Sequence, residues 1–257
     1  MADIHQTAIV SPKAELAEDV TVGPYAIIEE NVTIDSGCKI GSHALIAPGA
    51  RIARDVKIHH GVVISTVPQD LKFSGEVTTA EIGERTVIRE YATVNRGTED
   101  RHRTVVGADC FMMAYSHVAH DCILGDRVIL ANSANLGGHV VIDDWAIVGG
   151  IVPVHQFVHI GTHAMIGGGF RIPMDVCPYA LMGGTPTRVV GVNHIGLARR
   201  GFSDETIKVI RTAFRIIFRS KLTTAKAFER IDSELPDIPE IRTIREFFES
   251  SKRGVNR

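Results

Sequence analysis

The sequence predicts a mainly β protein, a parallel β-helix of hexapeptide repeats followed by an α-helical C-terminal domain. Three observations predict it. Every sixth residue from Ile4 to Ile172 is aliphatic or methionine at 26 of 29 positions, the exceptions being Asp70, Glu76 and Asp100. The residue two before each aliphatic is small and mostly apolar, as in Ala8, Val20, Ala26, Cys38 and Ala44, and later in Cys110, Cys122, Ala134 and Ala164. From Ser203 the apolar period changes from six to that of a helix. A helix would scatter a six-residue repeat around its circumference, so no amphipathic stripe explains the first part. Two inward residues flanking one outward residue make a very short strand. Short strands separated by bends at a fixed interval are the signature of a solenoid.

Taken in order, the repeats hold phase from Ile4 to Ile64, from Ile82 to Val94 and from Val106 to Ile172. The residue after the aliphatic is often glycine (Gly23, Gly41, Gly83, Gly107, Gly137), which suits a sharp bend. Two segments lose the register, 65–81 (STVPQDLKFSGEVTTAE) and about 95–105, and are expected to loop outward from a solenoid domain at 1–190. Loops on a rigid scaffold commonly carry function. The repeat fades through Pro173, Pro178, Gly183 and Pro186 into a second domain, 191–257. There Ile207, Ile210, Phe214 and Ile217 share a helical face, with Ser203 as N-cap and Asp204 and Glu205 in the first turn. Further helices fit 223–235 and 239–250, broken at Pro236.

Composition narrows the function classes. Of the 257 residues, 44% are hydrophobic and 23% charged, the balance of a soluble globular protein. A net charge of −2 and a pI near 6.6 give no reason to expect a nucleic-acid partner. The opening MADIHQTAIVSP lacks the basic and apolar regions of a signal peptide, and no apolar run approaches the ~18 residues of a membrane span. The four cysteines form no CxxC pair, and Cys38, Cys110 and Cys122 fall in the small inward column as core hydrophobes. A reduced, cytoplasmic chain follows. Between 199 and 230 nine Lys/Arg stand against three Asp/Glu, either a solvated face or a landing surface for an acidic partner.

The hexapeptide pattern resembles the hexapeptide-repeat acyltransferase superfamily. That resemblance implies a left-handed parallel β-helix with 18 residues per triangular coil, usually assembled as a homotrimer with active sites between subunits. On such a scaffold AYSHVAHDCILGD, residues 114–126, acquires meaning. Residues 18 apart stack on one face about 4.8 Å apart, so His120, Gly138 and Gln156 form one column and His139 stands over Asp121 in the next. Those are the parts for acyl transfer. His120 deprotonates a hydroxyl, Asp121 fixes its tautomer and favours the imidazolium, and the Gly138 N–H binds the oxyanion. A lone outward histidine on a β-helix is by default a surface residue, but five of the twelve (His117, His120, His139, His155, His159) crowd a few coils. A metal-dependent, carbonic-anhydrase-like site is the rival, since His117, His120 and His139 supply the three nitrogens zinc needs. The acyl-transfer reading needs no metal and no cofactor. IGGGF at 166–170 lacks the strand-to-helix setting of a dinucleotide motif.

VPQDLK, VNRGT, SHVAHDC, NLGGHVVI, PVHQF and GVNHIGLARRGFS occur in this order across the chain. Together they resemble the UDP-N-acetylglucosamine acyltransferase family of lipid A biosynthesis. The resemblance implies transfer of an (R)-3-hydroxyacyl group from acyl carrier protein to the 3-hydroxyl of UDP-N-acetylglucosamine. It makes His120 the base, Asp121 its partner and Gly138 the oxyanion donor. Asp70 and Lys72, with His117, His139, His155 and Gln156, become contacts to sugar, diphosphate or acyl chain, the loop at 65–81 leaning over a neighbouring subunit. Asn193 and Arg199 become nucleotide contacts, and Arg199, Arg200, Arg211, Arg215 and Arg219 a docking face for the acidic carrier protein. Gly168 leaves the acyl groove open. Two positions depart from the family: Asn95 stands where many members have histidine, and Ile195 where many have glutamate. Asn95 leaves open a 3-amino analogue as acceptor, and Ile195 removes one hydrogen bond to the nucleotide. The family's sister N-acyltransferase carries a further domain before its repeats, whereas here they begin at Ile4.

Overall fold

A computed structural model of the chain describes residues 2–257. The chain is mainly β, a left-handed parallel β-helix whose faces are three sheets of eleven, eight and eight short strands. As far as Ile147–Val148, each strand pairs in parallel with the third one after it. Asp3 lies against Thr21, Thr21 against Lys39 and Lys39 against Lys57, so one coil takes 18 residues. Two steps are longer. Lys57 pairs with Val87 and Ala50 with Ala80, a step of 30; Val87 pairs with Phe111 and Thr79 with Arg103, a step of 24. The excesses, 12 and 6 residues, are whole hexapeptides. Asp70, Glu76 and Asp100 each fall in one of these three hexapeptides, and this is why the sixfold phase survives both interruptions.

Inside the prism the two inward positions of each strand form continuous columns. Ala26, Ile28, Ala44, Ile46, Val62 and Ile64 are all buried, and so are all four cysteines, none of them bridged. Burial pushes the Cys38 and Cys110 thiols up to about 11 and Cys122 up to about 12, so they are inert core groups.

The glycines after the aliphatic position answer to a different cause than the bend. Gly23, Gly41, Gly83, Gly107 and Gly137 do not adopt positive φ; the left-handed residue lies two positions later, at Tyr25, His43, Arg85, Asp109 and His139, with φ from 55° to 63°. What requires glycine is the next coil. A Cβ on Gly41 would meet the His59 carbonyl carbon at 2.7 Å, and one on Gly83 the Gly107 carbonyl carbon at 2.5 Å.

At the C-terminal end Ala180–Gly183 extends the eleven-stranded sheet beside Met165–Ile166, and Arg188–Val192 turns back antiparallel. Four helices follow: α1 (His194–Arg199), α2 (Asp204–Arg219), α3 (Thr224–Glu234) and α4 (Pro239–Ser250). Ser203 Oγ caps α2 by accepting from Thr206 N at 3.1 Å, and the helix buries Ile207, Ile210, Phe214 and Ile217. The tail returns to the prism, Asp175 N donating to Gly254 O and Asn256 N to Asp175 O. No described helix is long and apolar enough to cross a membrane.

Candidate active site

The site forms where the chain turns from the strand His117–Val118 to the strand Ile123–Leu124. Asp121 takes the left-handed conformation of the corner, φ 58°, a region aspartate tolerates better than most residues. On the next coils His139 and Phe157 occupy the same corner with φ 63° and 65°. His139 N donates to His120 O, and Phe157 N to Gly138 O, both at 3.0 Å. The backbone thus stacks Gly138 on His120, and His139 and Phe157 on Asp121, as the 18-residue step requires.

His120 Nδ1 lies 2.8 Å from Asp121 Oδ2. The contact places the imidazole proton on Nδ1 and leaves Nε2 with its lone pair. Asp121 is fully buried. Burial pushes its carboxyl up, but hydrogen bonds from Thr98 and His120 outweigh that and hold it below the usual carboxylate range, so it is an anion at neutral pH. Thr98 N and Arg101 N donate to Oδ1 at 3.0 and 3.2 Å, and Thr98 Oγ1 donates to Oδ2 at 2.6 Å. The His120 ring lies across Gly138: a Cβ there would sit 2.6 Å from Cε1 and 2.7 Å from Nε2, so only glycine fits. No acceptor among the described residues takes the Gly138 N–H.

His139 meets His120 edge-on, ring centroids 5.0 Å apart, and stacks on Phe157 at 4.3 Å. Burial holds both His139 and His117 below the ordinary histidine range, which keeps them neutral at pH 7. Beside His139 opens a cleft of about 540 Å³, walled by Asp70, Lys72, Phe73 and Glu76 of the first insertion and by Thr98, Glu99 and Asp100 of the second, with His139 and Phe157 also lining it. The first insertion thus lines a cleft of its own chain together with the second. Both insertions are anchored at one corner, so they converge there.

The other expected residues are placed as follows. His117 Nδ1 is engaged by Thr93 Oγ1 at 2.7 Å on the neighbouring face. His155 Nδ1 meets Gln156 O at 3.0 Å, and Gln156 is exposed. Asn95 is buried, Nδ2 donating to Thr66 Oγ1 and Val67 O. Gly168 is exposed, and a Cβ there would meet only the Gly150 backbone, O at 3.2 Å and N at 3.6 Å. Asn193 caps α1 through Gly196 N and donates to His163 O, so its amide is occupied within the fold. Arg199 and Ile195 are exposed on α1. Arg200 is half-buried against His163 and Trp145. Arg211, Arg215 and Arg219, four apart on α2, flank a small cleft with Phe214, Phe218 and Val189.

The metal alternative called for His117, His120 and His139 to converge. The donor atoms that do lie within 4.8 Å of one another belong to His120, Asp121 and His139, with His117 turned to Thr93. The Asp121 carboxylate already receives hydrogen bonds from Thr98, Arg101 and His120. Sequence reasoning missed Thr98, Arg101 and Phe157. Phe157 was within reach, being one coil beyond His139, while Thr98 and Arg101 lie in an insertion that periodicity cannot place.

Comparison with known proteins agrees with this geometry. Residues 175–256 match the family model described as UDP N-acetylglucosamine O-acyltransferase, domain 2, and residues 103–138 match bacterial transferase hexapeptide (six repeats). The chain is 49% identical to an acyl-[acyl-carrier-protein]–UDP-N-acetylglucosamine O-acyltransferase of Paracidovorax citrulli and 45% identical to that of Thermodesulfovibrio yellowstonii, each over the full length of both chains. Among solved structures, the UDP-N-acetylglucosamine acyltransferase of Bacteroides fragilis superposes with a TM-score of 0.98 at 43% identity, covering 99% of this chain and 100% of that one. The Acinetobacter baumannii protein LpxA gives 0.95 at 42%, covering 99% of each.

Proposed function

The chain belongs to the acyl-[acyl-carrier-protein]–UDP-N-acetylglucosamine O-acyltransferase family, and on that premise we propose how its site carries out the reaction. It moves an (R)-3-hydroxyacyl group from acyl carrier protein to the 3-position of the glucosamine of UDP-N-acetylglucosamine, the first step of lipid A biosynthesis. The observation that carries this reading is the buried, ionised Asp121 on Nδ1 of a histidine whose ring lies over a free backbone N–H, that of Gly138. His120 Nε2 takes the proton of the acceptor hydroxyl as its oxygen attacks the thioester carbonyl. The resulting oxyanion is received by the Gly138 N–H, a donor type worth about 10²–10³ in rate. Asp121 stabilises the imidazolium without taking its proton. Collapse expels the carrier-protein thiolate, which His120 reprotonates.

The cleft beside His139 suits the sugar nucleotide. Lys72 supplies a positive charge for the diphosphate, and Asp70, His139 and Gln156 supply hydrogen bonds for the sugar. Arg199 serves the nucleotide, and Asn193, committed to its cap, serves by fixing the helix that presents Arg199. Arg199, Arg200, Arg211, Arg215 and Arg219 offer the acidic carrier protein a face in which Phe218 and Val189 add apolar contact. We place the enzyme in the cytoplasm as a homotrimer, with His117, His155 and Gly168 contributing along the contact between subunits.

The test is His120→Ala. Turnover falls about 10²- to 10⁴-fold, the weight of a general base, with UDP-sugar binding retained in calorimetry. EDTA leaves wild-type turnover unchanged. Near-wild-type turnover in the variant sinks the assignment of the base, and a chelator-sensitive activity restored by zinc sinks the metal-free chemistry.

A further inference from the structure

Asp121 Oδ2 has Thr98 and His120 as partners, Thr98 N adding a longer contact at 3.2 Å, and a second imidazole in waiting. It accepts from Thr98 Oγ1 at 2.6 Å and from His120 Nδ1 at 2.8 Å. His139 Nδ1 stands 3.9 Å from the same oxygen. That nitrogen is buried and makes no hydrogen bond among the described residues: it comes within 3.1 Å of Asp100 Oδ2, but off the line a hydrogen bond needs. A carboxylate between two imidazoles, one of them unsatisfied, has two ways to settle. Only pairing with His120 fixes the tautomer of the base.

We propose that Thr98 is a positioning residue that holds the Asp121 carboxylate on His120 and away from His139. The proposal rests on His120 being the base. The Thr98 hydroxyl reaches Oδ2, Thr98 N spans Oδ1 and Oδ2 at 3.0 and 3.2 Å, and Arg101 N holds Oδ1, so the carboxylate is gripped at both oxygens and its torsion is fixed. Arg101 Nη1 adds a bond to the Asp121 carbonyl oxygen at 2.9 Å, and Thr104 Oγ1 accepts from Asp121 N at 2.8 Å. Thr98 itself is buried, and the oxygen it serves is fully so; it acts through Asp121. The grip also gives the second insertion a purpose. Thr98 and Arg101 both lie in the six-residue excess between Asn95 and Arg103, and an uninterrupted coil has no backbone in that place.

Removing the hydroxyl leaves the backbone donors, with only the longer Thr98 N contact at 3.2 Å on Oδ2, and loosens the grip that keeps Oδ2 from turning to His139. The expected cost of losing a hydrogen bond to an ionised group is about 10- to 100-fold in kcat. Thr98→Val, which keeps the branched shape, is expected to show that fall with KM for either substrate within about threefold. Thr98→Ser is expected to restore kcat to within about threefold of wild type. In the His120→Ala background Thr98→Val should alter the residual rate less than about twofold, because its route to the chemistry is gone; an additive loss there overturns the proposal. In ¹⁵N-histidine spectra assigned with single-histidine variants, the hydrogen-bonded Nδ1–H signal should pass from His120 to His139 in Thr98→Val. A fall in kcat with the His120 signal intact overturns the proposal too. If the valine variant does not fold, the serine variant carries the test, and a tenfold loss in folded Thr98→Ser is fatal. Wild-type kcat in Thr98→Val beside an inactive His120→Ala refutes this inference alone, while an active His120→Ala refutes the base on which it rests.

Discussion

Asn95 buries an amide whose Nδ2 is bound to Thr66 and Val67 and whose Oδ1 has no partner among the described residues. An acceptor left unpaired costs about 1–3 kcal/mol, which a ligand donor recovers. An amide oxygen takes a hydrogen bond from an amine as readily as from a hydroxyl, and unlike histidine it cannot take up a proton. We expect UDP-N-acetylglucosamine to be a substrate and its 3-amino analogue to be accepted at least comparably. Competition kinetics with both sugar nucleotides check this, and strong rejection of the amine refutes it. Single residues were unevenly legible in the sequence. His120, Asp121, Gly138 and His139 could be paired because a constant 18-residue step fixes which side chains stack. Thr98 could not, because an inserted hexapeptide leaves the coil and nothing in its spacing says where it returns. Asn193 was legible as a position, but not its cap to Gly196 N or its bond to His163 O, commitments that only tertiary structure shows.

Among elements, the strands and the three long helices followed from period and caps, while α1 did not. It has six residues with a glycine inside, too short for a period and poor in propensity, and it persists because Asn193 caps it and Leu197 is buried beneath it. Its far end is tied to the prism through Arg200, whose Nη1 meets His163 Nδ1 at 3.2 Å while the guanidinium lies over Trp145. His163 stacks between Trp145 and Tyr179 with Phe202 at its edge. Burial, then the Arg200 charge, pushes its pKa down to about 4. Folding therefore favours the neutral ring while the unfolded chain binds the proton near pH 6.5, so stability is full above about 6.5 and declines as the pH falls toward 4. Thermal unfolding between pH 7 and 4 should show a falling Tm, and His163→Phe, which keeps the ring stack, should flatten that slope. His117 and His139, also held neutral by burial, leave a residual slope of the same sign. An undiminished slope in His163→Phe removes His163 as its source.

On the scale of the whole molecule, the outward side chains divide the prism along its length. The face that carries His117 begins with Ile9, Ile27, Leu45 and Val63 and continues with Thr93, His117, Asn135 and Pro153. Beside it the first coils of the eleven-stranded sheet present Asp3, Thr21, Lys39 and Lys57. Outward apolar columns run along the first coils of this face and, farther on, along Val87, Phe111, Ile129, Ile147 and Met165 of the eleven-stranded sheet, and such columns suit copies packed about an axis parallel to the prism. Leu71, fully exposed at the tip of the first insertion, suits the same packing. We propose that in a trimer of that kind the small outward column Ala114, Asn132, Gly150 and Gly168 lies opposite the neighbour's His120 column, with a groove for the acyl chain along the axis between them. Gly168 is 48 residues beyond His120, which at about 4.8 Å per 18-residue coil is roughly 13 Å along the axis. An extended chain with bonds near 1.5 Å advances about 1.3 Å per carbon, so Gly168 stands near the tenth carbon in this rough measure. Its φ is not left-handed, and its Cβ position meets only Gly150 O at 3.2 Å and Gly150 N at 3.6 Å, so a side chain there requires only a small give of the Gly150 backbone. The wild type should therefore prefer acyl chains longer than about ten carbons, and Gly168→Met should cap the chain near ten while sparing short donors. Mass spectrometry of products formed from mixed acyl-carrier-protein donors reads both. If Gly168→Met keeps the wild-type preference for long donors, the groove does not pass Gly168, and its opposition to the neighbour's His120 column fails with it.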